Sequence, residues 1–189
     1  MNVLLDCGSH FFEGLYKLDK IYHFGNYWRI VCFEANPETY NQSLNNKPNF
    51  KNLDINNIAI SDKSDFVIVN CDKDYGEGSN ILEYPPVNDI VYGNTFNFNR
   101  REICSEDIVD SIDYENLTPH DKLFIKLDIE GSEYRVIHRL IETGYYKKID
   151  TLYVEFHDRF FEAREYYQQL NRLYVDFLTK SGVKVVLWD

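Results

Sequence analysis

The stretch VLLDCGSH (Val3 to His10) reads as a buried strand that breaks into a turn at Asp6-x-Gly8. A second apolar run, IVCFEANP (Ile30 to Pro37), ends in Glu34 and enters a helix-like segment at Pro37. A strand, a Gly turn, a helix and a strand ending in an acid make the pattern of an adenosine-binding βαβ unit. Gly8 permits close backbone approach and torsions that other residues resist. The helix start offers free N–H groups. The carboxylate of Glu34 can accept hydrogen bonds from both ribose hydroxyls. The chain is therefore expected to bind a nucleoside-containing cofactor.

Working outward, strands and helices alternate. VLLD is strand one and Glu13 to Ile21 a helix; IVCFEA is strand two and Glu38 to Asn45 a helix. Leu53 to Ile60 reads as strand three, and Asp65 to Asn70 as an added β segment. Asp72 to Asn80 has loop character, and Ile81 to Arg101 reads as an irregular excursion over the sheet. Ser105 to Ile112 is expected as a short helix with Ser105 as N-cap. Lys122 to Ile129 is the clearest buried strand, and Gly131 to Gly144 an amphipathic helix. Asp150 to His157 is the next strand, Phe160 to Ser181 a long helix, and VKVVLWD a final strand. This order predicts an α/β fold, three-layered, with a mostly parallel central sheet and helices on both faces. Ligands in such sheets lie at the carboxyl ends of the strands. Those ends read Asp6, Glu34, Asp62, Asp128-x-Glu130 and Glu155-x-His157, a row of acids on one edge.

At 189 residues, with 44% hydrophobic and 16% aromatic residues, the chain has the material for one well-packed domain. Its net charge of −11 disfavours a phosphate backbone as partner and suits a cationic ligand. Cys7, Cys32, Cys71 and Cys104 are scattered without a CxxC pair, which fits reduced thiols rather than a zinc ribbon or disulfide scaffold. No apolar run is long enough for a membrane span, and no signal-peptide pattern is seen. A cytoplasmic protein without membrane insertion is expected.

Asp128 and Glu130 end the most apolar strand, where an unpaired acid is costly. A cofactor amino group, a sulfonium or a substrate hydroxyl would each stabilise them. A plainer alternative has Asp128 capping the next helix and Glu130 in its first turn. Glu155 and His157 project to one side of an extended strand. His157 is the natural base near neutral pH, with Glu155, Glu130 and Asp128 as the other candidates. No metal is required by the spacing; Asp128, Glu155 and His157 are the set that would hold one. Lys126 is expected mid-strand with its head reaching water.

These residues together resemble the FkbM family of S-adenosylmethionine-dependent methyltransferases. The matching segments are LLDCGSH, CFEANPETY, NIAISDKS, GEGSNIL, FIKLDIEGSEYRVI and IDTLYVEFH. The resemblance implies a Rossmann-like methyltransferase domain over 1–189 that uses S-adenosyl-L-methionine and releases S-adenosyl-L-homocysteine. It implies Asp6, Gly8, Ser9 and His10 at the methionine portion, and Glu34 at the ribose. Ala35, Asn36, Asn57 and Ala59 fall at the adenine, and Ser79 near cofactor or substrate. Asp128, Glu130, Glu155 and His157 fall at the reacting end. Phe12 stands where the family pattern has Gly, so the turn is narrower or the helix begins earlier. The short ends fit a minimal form or a domain cut from a longer protein, with fusion to other catalytic domains or a homodimer open.

The implied activity is O-methylation of a hydroxyl on a carbohydrate, glycan or other small molecule. Two alternatives stay open: a methyltransferase for RNA or another polymer, and a catalytically silent binding module of the same fold. NAD is a weaker option, since DxGxxxx departs from GxGxxG. Arg100 and Arg101, in the Asn-rich aromatic stretch from Tyr92, can meet an anionic group on the substrate.

Overall fold

The computed structural model describes residues 1–72, 78–83 and 98–188. Its main sheet has six strands in the order β3-β2-β1-β7-β8-β9, all parallel. The strands are β1 (Asn2–Cys7), β2 (Trp28–Phe33), β3 (Leu53–Asn56), β7 (Lys122–Leu127), β8 (Ile149–Val154) and β9 (Lys184–Leu187). A second sheet joins β4 (Ala59–Ser61), β5 (Asp65–Asp72) and β6 (Phe98–Asp107) in the order β4-β6-β5. Crossovers run through α1 (Glu13–Tyr22), α2 (Pro37–Ser43), α3 (Ile108–Tyr114), α4 (Glu133–Thr143) and α5 (Arg164–Lys180). The order of connection reverses between β1 and β7, which puts the switch point of the sheet there.

Alternation along each strand builds the three layers. Val3, Leu5, Cys7, Val31, Leu123, Ile125 and Leu127 face α3 and α4, packing on Ile112, Val136, Ile137 and Leu140. Leu4, Ile30, Cys32 and Phe124 face the other way, onto Phe12, Leu15 and Leu18 at and within α1. Both faces of the central strands are covered, so they read as nearly continuous apolar runs. The expected α/β class and its largely parallel sheet are therefore present. Among the described residues no helix is long and apolar enough to cross a membrane. The four cysteines are free, with only Cys104 exposed.

Four local expectations are corrected. Leu53 to Ile60 is not one strand but β3 and β4, which belong to different sheets. Asn57 sits at the break, its amide donating to Glu34 O (2.8 Å) and Ala35 O (3.2 Å). Ser105 lies inside β6 and donates to Lys63 O and Asp65 O, so Asp107 caps α3 instead, accepting from Val109 N at 2.9 Å. Residues 98–101 continue β6 rather than an irregular excursion; residues 84–97 of that excursion lie outside the described residues. The helix expected from Phe160 starts at Arg164, after a 3-10 turn over Asp158–Phe160.

Phe12 resolves its departure from the family pattern. It holds a left-handed φ of 71° at the N-cap of α1, the conformation a Gly would take. Its ring is fully buried against Leu4 and Leu15, and that burial offsets the backbone strain.

Candidate active site

A cavity of about 510 Å³ opens at the carboxyl ends of β1, β2, β7 and β8, within the range of small-molecule sites. Its wall includes Gly8, Ser9, His10, Glu34, Ala35, Ala59, Ser79, Asp128, Glu130 and Glu155. Ten of the expected site residues thus meet in one place. Asp6, Asn36, Asn57 and His157 are not on that wall.

The β1 side is a backbone construction. Gly8 N and Ser9 N both donate to Phe33 O, at 2.9 and 3.0 Å. His10 turns with φ 44° and donates its N–H to Glu34 Oε2 at 2.9 Å. Asn36 N donates to Glu34 Oε1 at 2.8 Å. Each Glu34 oxygen therefore has one fixed donor and keeps a second acceptor position. Burial pushes the Glu34 carboxyl up, opposed by the Asn36 and His10 N–H groups.

Asn36 is a clamp rather than a cavity contact. Its side chain accepts from Glu38 N and Thr39 N, capping α2, and donates to Asp72 O and Ser79 Oγ. Asn57 likewise fixes the Glu34–Ala35 backbone. Ser79 reaches the wall, while residues 76 and 77 of the GEGSN motif lie outside the described residues. Arg100 donates to Asn70 Oδ1 and Arg101 to Glu38, so both serve the second sheet and α2 rather than the wall.

Lys126 reaches the wall, and Asp6 lies beneath it. Both are buried, and they are register neighbours across β1 and β7 on the α1 face. Lys126 Nζ stands 3.3 Å from Asp6 Oδ1 and 3.2 Å from Asp128 Oδ2, and donates to Gly8 O at 3.0 Å. The expectation that its head reaches water is wrong: the ammonium is spent inside. Burial opposes the Lys126 charge, but Asp6 and Asp128 outweigh it and raise its pKa. Burial raises Asp6, with Lys126 pulling the other way. For Asp128 burial also acts upward, yet Lys126 and His157 hold it below the usual carboxylate range.

On the β7 and β8 side stand Asp128, Glu130, Glu155 and the buried His157. Glu130 itself holds φ 54°. Asp128 does not cap α4 and Glu130 precedes that helix; Glu133 does the local work by accepting from Ile129 N (2.8 Å) and Gly131 N (3.0 Å). Glu133 also takes His157 Nδ1 at 2.9 Å. His157 Nε2 lies 3.1 Å from Glu130 Oε2, 3.5 Å from Glu155 Oε1 and 3.9 Å from Asp128 Oδ1. Burial disfavours the imidazolium, but Glu130 and Glu133 prevail and carry the pKa up to about 10. His157, expected as a base, thus lies behind the wall as an imidazole ion-paired to Glu130 and Glu133. Burial pushes Glu130 up to about 7 and raises Glu155.

The donor set fits S-adenosylmethionine. The hydroxyls of Ser9 and Ser132 line the cavity, buried and without a hydrogen-bond partner. Glu34 keeps acceptor capacity on one side, and carboxylates in excess of cations face the other.

A family model described as the methyltransferase FkbM domain matches residues 6–178. No curated protein and no solved structure matches the chain.

Proposed function

The chain belongs to the FkbM methyltransferase family, and from that premise we propose that it is an S-adenosylmethionine-dependent O-methyltransferase. Its acceptor is a hydroxyl of a carbohydrate, a glycan or another small molecule. The observation that carries this reading is one cavity at the sheet's switch point, with the diol-accepting Glu34 on the β2 side and an acid cluster on the β7–β8 side.

Glu34 takes the ribose hydroxyls on its remaining acceptor positions. Ala35, Ile58, Ala59 and Ile60 give the adenine an apolar wall. The His10 loop, tied to Glu34, passes along the methionine portion, and the Ser9 and Ser132 hydroxyls meet its polar atoms. S-adenosylmethionine, when bound, supplies a methyl group activated by its sulfonium. The chain's own contribution is alignment, which in such reactions is worth on the order of 7–11 kcal/mol. Asp128, Glu130 and Glu155, on the wall, hold the acceptor hydroxyl and receive its proton, and His157 positions them from behind. Asp6, Asn36 and Asn57 act one step back, by holding the loops that touch the ligand.

An RNA acceptor fits less well. Glu13, Glu34, Asp128, Glu130 and Glu155 on the wall face Lys17, Lys126 and Arg159, and Lys126 is already committed to Asp6 and Asp128. A phosphate backbone finds little to neutralise it.

The test is calorimetric titration with S-adenosylhomocysteine. The wild-type chain binds it, whereas a silent module does not. Glu34→Gln keeps the size and one acceptor oxygen, and Glu34→Ala removes both. Hydrogen bonds to a charged group are worth about 1.5–3 kcal/mol, so Glu34→Ala is expected to weaken binding by roughly 10- to 150-fold, with Glu34→Gln between. Unchanged affinity in a folded Glu34→Ala chain rejects the ribose assignment.

A further inference from the structure

We propose that Asp128, Glu130 and His157 hold a divalent cation at the acceptor end of the cavity. One ligand atom from each lies within 4.8 Å of the others. The distances are ones that a shared ion can span. Donors about 2.0–2.2 Å from one ion stand roughly 3 Å apart when adjacent and about 4.2 Å apart when opposite. His157 Nε2 is 3.1 Å from Glu130 Oε2 and 3.9 Å from Asp128 Oδ1.

The second observation is independent of the acidic cluster. His157 is 1% exposed, and its Nε2 makes no hydrogen bond although carboxylates surround it. Glu130 Oε2 is likewise buried and makes none. The two atoms are 3.1 Å apart as an ion pair, without hydrogen-bond geometry between them, and a cation between them would satisfy both. The far side of the ring is fixed as metal-binding imidazoles usually are. Nδ1 donates to Glu133 Oε1, and Glu133 is locked by Ile129 N and Gly131 N. That bond turns Nε2 toward the cluster.

Two carboxylates and one imidazole suit Mn²⁺ or Mg²⁺, with the other positions left to water and substrate. Binding sends the Nε2 proton to solvent. Asp128 and Glu130 line the cavity, so the open positions face the acceptor. An acceptor with two neighbouring oxygens, such as a sugar diol, can chelate the ion, which lowers the pKa of the bound hydroxyl. Glu155, on the wall but outside the ligand set, is placed to take the proton. This role in acceptor choice rests on the methyltransferase reading; the ion site itself does not.

The experiment uses the whole chain, freed of metal with EDTA and titrated with Mn²⁺ alone, without S-adenosylmethionine. Electron paramagnetic resonance is expected to show one bound ion per chain. Spin-echo modulation is expected to show one nitrogen ligand, in unaltered protein and so independent of any variant's folding. Glu130→Gln, of the same shape, should weaken Mn²⁺ binding about tenfold or more. His157→Gln should also remove the nitrogen signal, while Glu34→Gln leaves ion binding as it was. No stoichiometric ion, an ion without nitrogen coupling, or full affinity in folded Glu130→Gln overturns the site. S-adenosylhomocysteine binding measured without metal separates this failure from failure of the proposed function. If that ligand binds and Mn²⁺ does not, the cluster serves the sulfonium or acceptor directly.

Discussion

Lys126→Met is expected to cost about 3–5 kcal/mol of folding stability, although it replaces one long side chain with another. The ammonium neutralises Asp6, which is 0% exposed, and satisfies Gly8 O. Its loss leaves a buried carboxylate with no cation and a loop carbonyl with no donor. Asp128 suffers less, because a quarter of its side chain reaches solvent. Urea unfolding of the wild type, Lys126→Met, Asp6→Asn and the double variant checks this. The double variant should recover most of the loss, because a pair removed together leaves no orphan charge. If the two single costs simply add, the two groups do not act as a pair.

The pH dependence of that loss has a definite sign. Burial already raises Asp6 in the wild type, and Lys126 restrains the rise. Without Lys126 the folded-state pKa moves further above the unfolded value of about 3.9. An acid raised on folding binds more protons in the folded state. Its favourable contribution is complete below the unfolded pKa and is lost as pH climbs through the folded one. The deficit of Lys126→Met relative to wild type should therefore be smaller at pH 5 than at pH 8. A deficit that grows on acidification would mean that Asp6 is not the group left stranded.

Lys126 also shows where the sequence stops being legible. In FIKLDI a lysine among apolar residues reads as a chain that reaches water, because alternation gives the face of a strand but not its neighbours. That Asp6 stands beside it is a fact of β1–β7 register, and 120 residues separate the two. A readable signal was present: a strand covered on both faces leaves a lysine no route out, so it demands an internal acid. The place of Glu34 on the cavity wall was legible because it follows from a local unit, one strand and the turn after it. His157 was half legible. Its place at a strand end could be read, but the 2.9 Å bond to Glu133 could not, since it joins β8 to the start of α4. The break at Asn57 and the cap at Asp107 were missed for a similar reason. Propensity marks Ser105 as a good cap, and only the pairing of β5 with β6 takes its hydroxyl away.

Gly8→Ala tests whether the switch point is built by close backbone approach. Gly8 has φ +80°, and a Cβ placed there meets Asp128 O at 1.8 Å, a distance that no side-chain adjustment can relieve. The β1 loop and the β7 end would have to separate. Gly8 N and Asp128 N both belong to the hydrogen-bonded ends of these strands, donating to Phe33 O and Cys7 O. Separation would therefore pull the Ser9–His10 loop from Glu34 and lift Asp128 away from Lys126. Gly144→Ala supplies the comparison. Gly144 has nearly the same torsion, φ +78°, but nothing lies within 4 Å of its Cβ position. There only the left-handed strain operates, about 1–2 kcal/mol. At Gly8 the clash adds to it, and a total of about 3 kcal/mol or more is expected. Urea midpoints of the two variants read the difference, and S-adenosylhomocysteine titration reads the site: Gly144→Ala should bind as wild type, while Gly8→Ala should not bind measurably. Equal destabilisation by the two substitutions would mean that the loop yields easily. The tight seam between β1 and β7 would then not be what holds Glu34 and Asp128 around one cavity.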